Sequence, residues 1–328
     1  MRGPISYFRG VRNPEAYHGH GVNKKFFEGW YLKIVSADLT QRWALIPGIF
    51  RGLDDDTNEA FIQVLDGSKG RSWYHRYPIE EFRASNSSFG VQVGRSKFSE
   101  EGIEIDIPDL QGEIKFSSPL TPWPVSLREP GVMGWFGLIP FMECFHGVVS
   151  FGHNLEGSIK IEGRTRNFSG GRGYIEKDWG RSFPGGYVWL HSNHLADSPD
   201  SSFIGSVAII PWLGGAFRGF IVGLRHSGRL YRFTTYNRTK EEKLEITDSQ
   251  VNWRLKGPDG TLELHAKRVQ GGVLRAPIRD SMHRRVEETL NATIHIVHTD
   301  PRGRTLLETD GQVGGLEVFG DTEKLLGL

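Results

Sequence analysis

The chain has 328 residues, enough for roughly two domains and a large apolar core. Hydrophobic residues are 38% and charged residues 24% of it, which excludes a disordered chain. The 40 Lys and Arg against 39 Asp and Glu leave a net charge of +1, which excludes a large basic nucleic-acid face, and the single cysteine, Cys144, excludes a disulfide framework and a cysteine-built metal site.

The first residues, from Met1 to Gly19, contain no apolar h-region and do not read as a secretory signal, so a cytoplasmic location is expected. Short alternating segments bounded by Gly, Pro, Asn and Asp then read as β-strands. In the first half they are Trp30–Val35, Trp43–Phe50, Ala60–Leu65, Ile103–Ile107 and Ser158–Ile161. In the second they are Tyr187–Asn193, Phe203–Ile210, Gly219–Leu224, Leu230–Tyr236, Gln250–Leu255, Thr261–Ala266 and Thr293–His298. Hairpin turns are predicted at Ser227-Gly228 and at Gly257-Pro258-Asp259-Gly260. One helix is predicted over Ser281–Leu290, where good helix formers follow Pro277 and Asp280. The longest apolar run, Gly131–Phe145, is broken by Pro140 and too short to span a membrane. Its Trp135, Phe136, Leu138, Ile139 and Phe141 read as an interdomain plug or as a peripheral membrane contact.

The segments repeat. Gly29–Ile34 (GWYLKI) aligns with Gly186–His191 (GYVWLH), Ala44–Gly48 with Ala208–Trp212, Ala60–Leu65 with Gly219–Leu224, and Gly70–Trp73 with Gly228–Tyr231. Ser118-Pro119 aligns with Ala276-Pro277, and each half closes on Gly-x-x-Glu, at Gly173–Glu176 and Gly314–Glu317. One order at a nearly constant offset of roughly 160 residues reads as an internal duplication, with domains of residues 1–180 and 181–328. Each half holds enough strands to close a barrel around a cavity.

Three strings carry a family resemblance: FFEGWYLK (Phe26–Lys33), PGVMGWFGLIPFMECFHGVVS (Pro130–Ser150) and GYIEKDWGRSFPGGYVWLHSNH (Gly173–His194). Together with the tail from Leu274 to Glu317 they resemble the tocopherol cyclase family over nearly the whole chain, with Asp178 where the plant-type motif often reads Asn. The resemblance implies an all-β fold of two lipocalin-like antiparallel barrels with few helices, shared with carotenoid hydratases and some decalin-forming pericyclases. It also implies chemistry on long apolar isoprenoid or polyketide substrates.

Cyclising a prenylated quinol to a chromanol requires protonation of a trisubstituted double bond and capture of the tertiary cation by the phenol oxygen. Such a site needs a carboxyl whose pKa is raised by burial, aromatic faces around the cation and exclusion of water. It needs no metal or nucleotide, and neither the His18/His20 nor the His191/His194 spacing reads as a metal motif. If GYIEKDW is extended, Glu176 and Asp178 share a face and would raise one another's pKa; the alternative is an ion pair with Lys177. Tyr187, Trp189, His191 and Asn193 share a face of the next strand, as a mixed pocket wall or as barrel filling. Glu28, on the face of Trp30, is a third acid candidate or an exposed strand-end charge.

The acid candidates are therefore Glu176, Asp178 and Glu28, with His191 and Asn193 orienting the phenol. Trp30, Tyr31, Glu143, His146, Lys177, Tyr187 and Trp189 are expected to line the pocket, and Trp179 joins them through the family resemblance. The functional expectation is an isomerase of the intramolecular-lyase type acting on an isoprenoid-like small molecule without a cofactor. Its rivals are a non-enzymatic carrier of an apolar ligand and a hydratase or pericyclase acting on a polyene.

Overall fold

The computed structural model describes residues 10–126, 129–278 and 281–328; Met1–Arg9, part of the N-terminal reading above, lie outside the described residues. Two compact units are present: Met1–Phe183 with Leu274–Arg285, and Pro184–Val273 with Val286–Leu328. No sequence signal marks the return of Leu274–Arg285 to the first unit.

The first unit opens with β1 (Phe26–Val35), β2 (Arg42–Arg51), β3 (Glu59–Asp66) and β4 (Arg71–Tyr77). Short strands follow: β5 (Phe82–Ala84), β6 (Gly90–Val93), β7 (Ser96–Ser99), β8 (Gly102–Ile107) and β9 (Leu110–Phe116). It closes with β10 (Cys144–Ile161), β11 (Arg164–Asn167) and β12 (Arg172–Gly180). These form one sheet in the order β4-β3-β2-β1-β12-β10-β9-β8-β7-β6-β5, with β11 on β10. The sheet curls, bringing β6 against β2 and β3.

The second unit holds β13 (Gly186–Ser192), β14 (His194–Leu195), β15 (Ser202–Trp212), β16 (Gly215–His226), β17 (Arg229–Thr234) and β18 (Lys240–Ile246). After them come β19 (Gln250–Gly257), β20 (Gly260–Lys267), β21 (Gly272–Ile278), β22 (Ser281–Thr299) and β23 (Thr305–Gly320); of these, β21 from Leu274 onward and β22 up to Arg285 belong to the first unit. The sheet order is β17-β16-β15-β13-β23-β22-β20-β19-β18, and β19 comes back against β17. Val188, Leu190, Phe203, Val207, Val222, Phe233, Trp253 and Ile294 form its core.

Both sheets follow one plan. The first strand pairs with the last, a meander of four runs outward from it, and the remaining strands run back from the far edge. The repeats fall on matching strands: GWYLKI and GYVWLH on β1 and β13, ALIPG and AIIPW on β2 and β15, AFIQVL and GFIVGL on β3 and β16. The closing Gly-x-x-Glu pair falls on β12 and β23. The chain is thus all-β, with two duplicated antiparallel sheets.

The hairpin turns form as predicted. Ser227 and Gly228 both have positive φ, 50° and 75°, which is the type I′ geometry that matches strand twist. The predicted helix does not form. Ser281–Leu290 is the first half of β22, where Glu288 and Thr289 pair with Glu317 and Leu316 and Met282, Val286 and Leu290 are buried. Helix propensity is worth only tenths of a kcal/mol per residue, less than a ladder and three buried side chains provide. Asp280, the expected helix start, lies outside the described residues. Around the 3-10 turn Gly134–Leu138 the side chains of Trp135, Leu138 and Phe141 are exposed. Among the described residues no helix is long and apolar enough to cross a membrane.

Gly48 allows β1, β2 and β3 to close up: a Cβ there would lie 2.4 Å from the Phe61 ring and 2.7 Å from the Glu28 carbonyl oxygen. Gly48→Ala is expected to destabilise the protein by about 1–3 kcal/mol through overpacking, read as a lowered midpoint in urea unfolding. An unchanged midpoint would contradict this packing.

Candidate active site

β12 lies between β1 and β10, so each of its faces meets both neighbours. Glu28 stands opposite Trp179 and Trp30 opposite Lys177, with Phe145 and Gly147 completing that face from β10. Gly29 stands opposite Asp178 and Tyr31 opposite Glu176, with His146 and Val148 completing the other face. The period of two along GYIEKDW thus sorts the charged residues into two separate clusters.

The first face holds a buried ion pair. Lys177 Nζ lies 2.5 Å from Glu28 Oε1, and neither side chain has measurable exposure. The ammonium also donates to the Ala16 carbonyl and to His18 Nδ1 at 3.0 Å, and sits 4.4 Å from the Trp30 ring centre. Glu28 accepts the His18 backbone N–H at 2.8 Å. His18 Nε2 donates to the Gly10 carbonyl at 3.0 Å, and its ring stacks on Trp179 at 4.0 Å. Burial alone would raise the Glu28 pKa, but Lys177 and His18 outweigh it and hold it below the usual carboxylate range. Glu28 is therefore a fixed carboxylate, and the proton-donor role foreseen for it does not suit this environment. Trp30, Lys177 and Trp179 belong to this cluster and stand on the face away from Glu176 and Asp178.

The second face holds the acid–histidine cluster. His146 Nδ1 donates to Asp178 Oδ1 at 2.9 Å, and His146 Nε2 lies 3.7 Å from Glu176 Oε2. The Tyr174 hydroxyl donates to the same Glu176 oxygen at 2.6 Å. Burial works against a charged His146, yet the charge and hydrogen bond of Asp178, with Glu176 behind them, push its pKa up to about 9. At neutral pH it is an imidazolium between two carboxyl groups. Asp178 is the outward member, its side chain 27% exposed against 5% for Glu176.

An apolar cluster adjoins the acid. Cys144 Sγ is 4.0 Å from Asp178 Oδ1 and packs against Phe27, Phe50, Phe61 and Met282, with Ile46, Tyr74 and Phe183 around them. Burial, with Asp178 next, drives the Cys144 thiol pKa well up, so Cys144 is a small apolar side chain and no nucleophile. Gly29, across from Asp178, leaves room beside the carboxyl: a Cβ there would have no neighbour closer than 3.8 Å. Arg275 lies over the Tyr74 ring at 4.2 Å, and its backbone exchanges hydrogen bonds with the Gln63 side chain. Glu143 enters through its backbone, whose carbonyl accepts the Arg181 N–H at 2.8 Å.

The remaining candidates stand in the second unit. Tyr187, Trp189 and His191 share a face of β13, and the Tyr187 hydroxyl donates to Glu317 at 2.7 Å. His191 and Asn193 are fully buried. By the repeat, Glu317 matches Glu176, yet Glu317 shares the face of Tyr187 while Glu176 lies on the face opposite Trp30. A one-residue shift in pairing swaps faces, and the two units are chemically unlike at this point.

Tyr174 and His18 were not foreseen. Tyr174 is legible as the residue two before Glu176 on the same face, whereas His18 lies in an irregular segment where periodicity gives no signal. Ligand atoms of His146, Glu176 and Asp178 lie within 4.8 Å of one another, so these three could also hold a divalent cation once His146 loses its proton.

The protein thus consists of two antiparallel sheets, with an acid–histidine cluster beside an apolar wall in the first. Residues 107–320 match the tocopherol cyclase-like family, and the chain belongs to that family. Among curated relatives, "Probable tocopherol cyclase, chloroplastic" of Oryza sativa subsp. japonica is 22% identical over 97% of this chain and 80% of the rice protein. Among solved structures, CghA with Sch210972 is similar at a TM-score of 0.56 and 10% identity, covering 90% of this chain and 88% of that one. Kievitone hydratase of Nectria haematococca is similar at 0.51 and 10%, covering 90% and 89%.

Glu28→Gln alone and Lys177→Met alone should each cost about 3–5 kcal/mol, because each leaves a buried charge unpaired. The double variant should cost clearly less than their sum in urea unfolding; strict additivity would mean that the two groups do not interact. The histidines set opposite pH limbs. His146, with a folded pKa of about 9, contributes stability that is complete below about pH 6.5 and lost as pH rises through 9. His226, lowered to about 4 by burial and then by His298, contributes stability that is lost as pH falls from about 6.5 through 4. His146→Asn should therefore flatten the alkaline limb of stability against pH, and an unchanged limb would contradict the assignment.

Proposed function

We propose that this protein is an acid-catalysed cyclase that closes a chromanol-type ring on a prenylated quinol or a similar isoprenoid. The observation that carries the reading is His146, its side chain 11% exposed, held between Glu176 and Asp178 beside an apolar cluster. Membership of the tocopherol cyclase-like family supports the substrate class.

Asp178 is the proton donor in this reading. Its Oδ1 accepts from the imidazolium, and the Nδ1 proton passes along that bond to the carboxyl, which hands it to the substrate and is a carboxylate again. The proton goes to the less substituted carbon of the double bond, and a tertiary cation forms on the other carbon. The phenol oxygen attacks that cation, closing the C–O bond, and its proton returns to the Asp178 carboxylate. Atoms and charge balance without an oxidant or cofactor. Glu176, fixed by Tyr174, favours the charged form of His146 before and after the transfer. The rings of Phe27, Phe61 and Tyr74 supply apolar and π surface on the Asp178 side of the sheet, and their packing limits water that would otherwise hydrate the cation.

If one ordered water reaches the cation beside Asp178, the same proton transfer gives a hydratase. The His146, Glu176 and Asp178 geometry also permits a metal-assisted route, which a chelator and metal titration of turnover would expose.

The test is conversion of a prenylated quinol to the chromanol, with thermal melts to confirm folding. Asp178→Asn should lower turnover by about 10²–10⁴-fold, the range for a general acid, and Glu176→Gln by less, since it acts through His146. Wild-type rates in both folded variants would remove the cluster from the mechanism. Binding of the quinol without turnover by the wild-type protein would favour the carrier role, and a hydrated product would favour the hydratase.

A further inference from the structure

On the opposite face of β2 and β3 from the apolar cluster, a cavity of about 290 Å³ opens between the ends of those two strands and the β10–β11 turn. Gln41, Trp43, Asp66, Ser68, Lys69, Glu162, Arg164 and Arg166 supply its polar wall. Trp43 and Asp66 are cross-strand partners, 3% and 1% exposed. Alternation along β2 puts Trp43 on the face away from Ile46 and Gly48, so a ligand here would not compete with one beside Asp178.

The charges are unequally matched. Arg71 contacts Glu162 at 2.9 Å and Asp66 at 3.6 Å, and Lys69 lies 3.7 Å from Glu162 and 3.9 Å from Asp66. Asp66 Oδ1 also accepts the backbone N–H groups of Ser68 and Lys69. The two acids are thus offset by Lys69 and Arg71. Arg164 and Arg166, two apart on β11 and therefore on one side of it, have no acidic partner among the described residues. Trp43 Nε1 is buried and donates to no acceptor among the described residues, although buried indole N–H groups are normally satisfied. Its ring packs on Trp73, which lies under Arg71, so the wall is fixed in place.

We propose that this cavity binds a small metabolite through an oxyanion, a carboxylate or a phosphate. The anion pairs with Arg164 and Arg166 beside Trp43. A guanidinium fork matches either oxyanion. The volume stands at the lower end for small-molecule pockets, which fits a compact polar ligand and not an isoprenoid chain. The site is independent of the cyclase reading.

The experiment is a thermal-shift and calorimetric titration of the full chain with inorganic phosphate, with acetate, and with chloride at matched ionic strength. Wild type should show saturable stabilisation by phosphate or acetate beyond that of chloride, and whichever acts identifies the oxyanion. Arg164→Ala/Arg166→Ala removes one exposed and one half-buried side chain, neither of them in the core, and should weaken binding at least tenfold. No effect of either anion beyond chloride would overturn the proposal, as would wild-type affinity in the folded double-arginine variant.

Discussion

The Glu28–Lys177 ion pair is the constraint on which the first unit depends. Two unit charges with no exposure cannot exist singly in a β-sheet interior, so β1 and β12 are held in the one register that lets them meet. A slip of one residue would turn every β12 side chain to the other face, taking Lys177 away from Glu28 and bringing Glu176 and Asp178 onto the Glu28 face. Glu28 would then lose its cation and gain two like charges as neighbours. The pair also anchors the irregular segment before β1, through His18 and the Ala16 carbonyl. A feature that contributes no proton thus decides where the proton-bearing groups stand.

The division of charge between faces explains how one short strand serves both roles. On one face a lysine faces one glutamate and is satisfied by further hydrogen bonds, which gives a rigid, ionised pair. On the other a histidine faces two carboxyl groups, leaving a surplus of negative charge beside an apolar surface. The first arrangement suits structure and the second suits acid–base chemistry. The second unit repeats the sheet but not this chemistry: Glu317, the counterpart of Glu176 in the repeat, is bonded to Tyr187 on the other face. Duplication has preserved strand order while the groups on the paired first and last strands have diverged.

Much of this was legible in the sequence. Alternation identified the long strands because each buries one or both faces, and the ordered repeat gave the common sheet plan because every matched segment is a whole strand. The same alternation put Glu176 and Asp178 together and Lys177 on the other side. The pattern could not show which partner each carboxyl would meet. His146 and His18 arrive from segments distant in sequence, and only strand pairing and the path before β1 bring them in. The Ser281–Leu290 helix failed for a related reason: its residues favour a helix locally, while pairing with β23 decides the outcome. The return of Leu274–Arg285 to the first unit is likewise a tertiary event. Gln63 and Tyr74, which receive Arg275, carry no mark of that partnership in the sequence.

The most direct measurement of the central claim is the protonation state of His146, followed by nitrogen-15 NMR of the imidazole ring across pH in the free protein. The account predicts that both ring nitrogens remain protonated at pH 7 and that His146 titrates near 9, with the titration moving to lower pH in Asp178→Asn. A neutral His146 ring at pH 7 in the folded wild-type protein would contradict the account.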